Sequence, residues 1–158
     1  MNANFFDEGF RPLGVVMSEG KLLNRLHPVG WQSIFYVKRG GEAGIVPTGQ
    51  WKSVEADAVT AVQAGPRLTV AGVRNKVARA TPVARSGVCV TSGSVIFFAT
   101  PRDQAFDVHQ MVELALKLGC RDSLLLDGGP STQLYVNLPY SPIHVEGDVN
   151  VPAYIVVR

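Results

Sequence analysis

Apolar residues fall in short runs along most of this chain, and turn-forming residues separate the runs. Residues 13–17 are apolar, Ser18-Glu19-Gly20-Lys21 turns, and Leu22-Leu23 resumes. Residues 31–37 relate in the same way to 43–46 across Arg39-Gly40-Gly41-Glu42, and 88–90 to 95–99 across Ser92-Gly93. Short β-branched or apolar runs bounded by Gly-containing turns predict β-hairpins. Residues 56–62 read as a further strand, which ends in Gln63-Ala64-Gly65-Pro66-Arg67 before an extended run at 68–70. One segment has a different period. Val108, Met111, Val112, Ala115 and Leu118 recur at steps of three and four, which predicts a helix over 107–118. Asp107 is its N-cap, Gln110 completes a capping box, and Gly119 suits the position after the last turn. Glu113 and Lys117 are spaced for a pair on its exposed side. Residues 49–53 and 73–82 read as loops, the second carrying Arg74, Lys76 and Arg79, either solvated or bordering a cleft. The stretch from Val136 to about Glu146 is Pro-rich and loop-like, and 153–157 reads as a last strand. Many hairpins and one main helix predict an α+β fold, a single domain over 1–158 with a mixed or mostly antiparallel sheet.

Composition narrows the class. With 46% hydrophobic and 18% charged residues in 158, the chain has enough apolar surface for a core. A net charge of +2 with no Lys/Arg run argues against nucleic acid as a partner. No apolar stretch approaches the roughly 18 residues that a membrane-spanning helix needs. Cys89 and Cys120 lie in apolar surroundings without metal-ligand spacing; they read as two buried free thiols, with a disulfide as the alternative. Polar, motif-like sequence begins at Met1, so the chain reads either as cytoplasmic or as one lacking an export signal. His27, before Pro28, and His109, in the first helical turn, read as surface residues.

The candidate chemistry sits where apolar runs meet turns. Leu124–Leu126 runs into Asp127-Gly128-Gly129-Pro130, followed by Ser131 and Thr132. A buried strand that ends in an acid and a glycine turn can hold a carboxylate at the rim of a pocket, although Asp-Gly is also ordinary turn chemistry. Gln63 and Arg67 bracket a Gly-Pro turn, and a guanidinium there can clamp phosphate or remain solvated. Arg85 opens a strand that reads as buried, so it needs a partner, either a structural ion pair or a site. Asn4 and Asp7, in NANFFD, can face a pocket or simply close a loop.

Four stretches stand in order: NANFFD with a following Pro-x-Gly, QAGPRL, ARSGVCV, and a helix leading through LGC into RDSLLLDGGPST. Together they resemble the phosphodiester glycosidase domain family, over nearly the whole chain. That family includes the enzyme that removes N-acetylglucosamine from phosphodiester-capped mannose, and many exported bacterial proteins. The resemblance implies hydrolysis of a sugar-1-phosphodiester to free sugar and phosphomonoester. It implies Asp127 as the acting carboxylate with Asp7 as a second, and Arg67 and Arg85 on the phosphate. Gly128 and Gly129 would add backbone donors, and Asn4, Gln63, Ser131 and Thr132 polar contacts. No metal is called for, although Asp7 and Asp127 together could hold a divalent ion. Family members usually open with a strand before the first motif, which here starts almost at Met1, and often carry Arg-Thr or Arg-Asn where this chain has Arg85-Ser86. The competing readings are a module that binds anionic glycans at a cell surface, and a hydrolase acting at phosphorus or on cell-wall glycans.

Overall fold

A computed structural model describes residues 1–157. Two five-stranded antiparallel sheets pack face to face. The first contains β1 (Val16–Ser18), β2 (Lys21–Asn24), β3 (Ser33–Lys38), β4 (Ala43–Pro47) and β5 (Ala58–Ala64), in the spatial order β2-β1-β5-β3-β4. The second contains β6 (Arg67–Val70), β7 (Val73–Arg74), β8 (Ser86–Val90), β9 (Val95–Ala99) and β10 (Asp122–Leu125), in the order β7-β6-β10-β8-β9. Helix α1 (Val108–Lys117) covers the outer face of the second sheet, and β11 (Leu134–Val136) pairs with β12 (Ile143–Val145) in a separate hairpin. The architecture is the α+β arrangement that the hairpin pattern predicts.

Period-two alternation builds the layers. Phe35 on β3, Val62 on β5, Val88 and Val90 on β8 and Leu124 on β10 fill the space between the sheets, with Phe35 edge-on to Phe97 at 5.9 Å. Ile34 and Tyr36, one residue either side of Phe35, face outward onto Trp51 and Val54. Cys89 and Leu125 face outward onto Met111, Val112 and Ala115 of α1. Burying side chains of this size contributes about 1.5–3 kcal/mol each, which fixes the helix on the sheet. Asp107 caps α1 by accepting from the Gln110 amide, and the Gln110 side chain returns the bond to the Asp107 amide.

Several expectations change. Cys89 and Cys120 form a disulfide, with 5.4 Å between their Cα atoms, so they are not free thiols. Cys89 points from β8 toward the helix, and Cys120 follows the glycine that ends it, so docking α1 brings the sulfurs together. Residues 49–53 lie in a 3-10 turn, Thr48–Ser53, which buries Trp51. Within the Pro-rich stretch read as a loop to about Glu146, only residues 137–142 form the tip of the β11–β12 hairpin, and 143–145 are a strand, β12, held by its pairing with β11. No strand forms at 153–157. That segment makes an isolated bridge, Asn2 with Tyr154. Glu113 pairs with Arg74 on β7 and not with Lys117.

Candidate functional site

β10 is the middle strand of the second sheet, and the chain leaves it through Leu126 into Asp127. Three bonds fix the Asp127 backbone. Its amide donates to Ala3 O at 3.0 Å, and its carbonyl accepts from Asn2 Nδ2 at 2.6 Å and Ser86 Oγ at 2.8 Å. The Asp127 carboxylate accepts from the Gly128 amide at 3.0 Å, and the nearby Ser131 hydroxyl favours its charged form. Burial pushes its pKa above the ordinary aspartate value, and Ser131 and Gly128 pull the other way without cancelling the rise.

Arg85 lies against this turn. A Cβ added at Gly128 would sit 3.7 Å from Arg85 Nη1 and 3.1 Å from Ala84 O, so the close approach depends on glycine there. Arg85 Nε donates to Phe106 O at 3.1 Å and Nη2 to Thr81 O at 2.8 Å. These carbonyls orient the guanidinium and leave the N–H groups on Nη1 without a protein acceptor. Among the described residues no carboxylate forms an ion pair with it. Burial lowers its pKa, and the charge of Asp107, which caps α1, partly offsets that. An arginine stays protonated under either influence. Arg85 is therefore a half-buried cation without a counter-ion.

Arg67 differs. Its Nη2 bonds the carboxylate of Asp122, and both side chains are 12% exposed. Asp122 also accepts from Arg121 Nε at 3.2 Å. The Arg67 charge is thus compensated, while its buried Nε lacks a partner among the described residues. Arg67 and Arg85 both line a cavity of about 630 Å3. Phe5 and Trp31, edge-on at 5.7 Å, the Gly65-Pro66 turn, Lys76 and Arg79 share its wall. Asp127 is not part of that wall; it precedes Gly128, the residue against which Arg85 packs.

The remaining sequence candidates serve inside the fold. Gln63 is fully buried and lies within β5, not in the turn. Its Oε1 accepts from the amides of Val15 at 3.0 Å and His27 at 3.1 Å, and its Nε2 donates to His27 O and Gln32 Oε1. Gly14, at φ +105°, leaves room for this: a Cβ there would sit 2.5 Å from Gln63 Oε1. All the hydrogen-bonding capacity of Gln63 that a ligand could use is spent. Gln63→Ala is expected to lower the unfolding free energy by on the order of 3 kcal/mol, because buried donors and acceptors lose their partners. Urea denaturation measures this, and an unchanged midpoint would return Gln63 to the list of ligand contacts.

Asn4 is 1% exposed and donates from Nδ2 to Val15 O at 2.9 Å and Gln63 O at 3.0 Å, while its Oδ1 has no partner. Asp7 closes its own turn, accepting from the Arg11 amide at 2.9 Å and pairing with Arg11 Nε at 3.4 Å; it is not part of the cavity wall. The amides of Gly128 and Gly129 are occupied, the first by Asp127 and the second by Ala84 O at 2.8 Å. Thr132 is buried with its hydroxyl unpartnered. Among the described residues no three His, Cys, Asp or Glu side chains gather as a metal site would require. Among the described residues no helix is long and apolar enough to cross a membrane. Phe5, Trp31, Lys76 and Arg79 carry no pattern that sets them apart as a group. The only signal was positional, since Phe5 adjoins Asn4 and the basic loop follows Arg67.

The phosphodiester glycosidase family matches residues 1–158, the full sequence. Among solved structures, one similar fold is the zebrafish N-acetylglucosamine-1-phosphodiester alpha-N-acetylglucosaminidase catalytic domain, auto-inhibited by its pro-peptide. It has 19% identity and a TM-score of 0.67 over 84% of this chain and 51% of that one. A hypothetical protein from Synechocystis is similar at 14% identity and a TM-score of 0.56, over 84% of this chain and 46% of that one. The chain thus spans about half the length of the solved structures it matches. No curated protein matches it by sequence.

Proposed function

The chain belongs to the phosphodiester glycosidase family, and on that premise we propose that it hydrolyses the bond between a sugar anomeric carbon and a phosphate oxygen. The observation that carries the reading is Arg85, a half-buried cation with free N–H groups and no counter-ion among the described residues, packed against the turn that holds Asp127. A phosphodiester supplies the missing negative charge. As the glycosidic bond breaks, its electron pair goes to the phosphate oxygen, and the phosphate gains charge where Arg85 can hold it. An oriented guanidinium favours that state over the ground state. The leaving phosphomonoester is stable enough to need little help from a general acid.

Asp127 takes the proton of the attacking water, whose oxygen bonds to the anomeric carbon; the proton then passes to solvent. A carboxylate with a raised pKa is a stronger base than an ordinary aspartate, and the Gly128 amide keeps it oriented. Arg67, charge-neutralised by Asp122, shapes the cavity wall. Phe5 and Trp31 offer apolar surface to a sugar ring. Asp7 stands outside this scheme because Arg11 holds its carboxylate. Phosphate charge is met by arginine, so the scheme asks for no metal.

Product identity tests the proposal. A glycosyl phosphodiester incubated with the protein in 18O-labelled water should give free sugar carrying the label and an unlabelled phosphomonoester. Label in the phosphate instead would place the attack at phosphorus and overturn it.

A further inference from the structure

Three of the four cations in the cavity wall have no acidic partner. Arg67 is satisfied by Asp122, whereas Lys76, Arg79 and Arg85 make no ion pair among the described residues. None of the residues lining the cavity is Asp or Glu. Elsewhere Arg74 takes Glu113, Lys38 takes Glu42, Lys52 takes Glu55 and Arg11 takes Asp7, while Lys21, Arg25, Arg39 and Lys117 make no ion pair among the described residues. What sets the cavity apart is that three such cations share one wall that carries no acid. A single phosphodiester carries one negative charge, and Arg85 alone answers it. Two cations on the loop after β7, Lys76 and Arg79, are left facing the same space, where a further anion would meet both.

We infer that the cavity takes a glycosyl phosphodiester bearing a second phosphoryl group, with Arg85 on the scissile phosphate and Lys76 and Arg79 on the second. This rests on the cavity being the substrate site, as proposed above. Sugar diphosphates, with adjacent phosphoryl groups, and chains of repeating glycosyl phosphates, with spaced ones, share this chemistry. Lys76 and Arg79 are exposed and sit on a loop, so they suit a group at the cavity mouth. Arg85, held by two backbone carbonyls, suits the group at the base. A cavity of about 630 Å3 lies within the size range of sites for ligands larger than one sugar phosphate.

Calorimetry with inorganic phosphate, inorganic tripolyphosphate and a short poly(glycerol phosphate) tests the assignment without depending on turnover. The protein should bind at least one of the two polyanions roughly tenfold or more tightly than phosphate. A preference for tripolyphosphate points to adjacent phosphoryl groups, and one for poly(glycerol phosphate) to spaced groups. Lys76→Ala/Arg79→Ala should abolish that preference while circular dichroism stays unchanged. Lys21→Ala/Arg25→Ala removes the same charge away from the cavity and should preserve it. Equal affinity for phosphate and both polyanions, or equal losses in the two double variants, would overturn the inference. The proposed hydrolysis is judged separately by its products, so either can fail while the other stands.

Discussion

Asp127→Asn is expected to lower kcat on a glycosyl phosphodiester by at least roughly 100-fold, the usual scale for losing a general base. Asparagine keeps an oxygen to accept from the Gly128 amide, so the turn should survive, and phosphate binding at Arg85 should persist. In the wild type the base must be ionised, and burial holds the Asp127 pKa above the ordinary aspartate value. The acid limb of the kcat/KM profile should therefore lie at higher pH than an ordinary aspartate would give, and the residual rate of the variant should lack that limb. The same burial shows in stability. Because folding disfavours the charged carboxylate, its contribution is fully present below the ordinary aspartate pKa and is lost as pH rises through the raised folded value. The Asn variant has no such loss, so the difference in Tm should move in its favour between acidic and neutral pH. Wild-type turnover in the variant would remove Asp127 from the chemistry. A Tm difference that does not change with pH would remove the raised pKa.

The second large effect concerns the covalent link. Cys89 and Cys120 are 31 residues apart in sequence and close a loop containing β9 and all of α1. Cross-linking a loop of that size stabilises the folded state by about 3–4 kcal/mol on chain-entropy grounds. Cys89→Ala/Cys120→Ala should therefore lower Tm by about 10 °C for a domain of this length. Reduction with a thiol should lower the wild-type Tm by a similar amount and leave the variant unaffected. Differential scanning calorimetry under both conditions reads this directly, and equal Tm values would mean the link contributes nothing to folding.

What the sequence discloses follows the range of the interactions concerned. The capping box at Asp107 and Gln110 spans three residues, and the hairpin turns span four, so local pattern suffices for both. The disulfide was not readable because it depends on which face of β8 carries Cys89 and on where α1 ends above it. The Asp122 partner of Arg67 is 55 residues away and meets it only through the β6–β10 register, so a turn arginine and an ion-paired one look alike in the sequence. Gln63 was legible as a special polar residue but not as one facing inward. That needed Gly14, far upstream, to leave space for its amide. The strand–acid–glycine unit at Asp127 carries its own signal. The tie between that unit and Arg85 exists only because β8 runs beside β10, with Gly87 opposite Leu125.

The two ends of the chain meet beside the Asp127 turn. Ala3 N bonds Ala153 O at 3.2 Å, Ile155 N bonds Met1 O at 2.8 Å, and Asn2 reaches from this junction to the Asp127 carbonyl. Isolated bridges open more readily than sheet ladders, and here such opening would reach the Asp127 carboxylate within a few bonds. The steadiness of the acid is thus set from outside the sheet that delivers it, by a clasp of isolated bridges. A ligand that tightened that clasp would hold the Asp127 turn still without touching it.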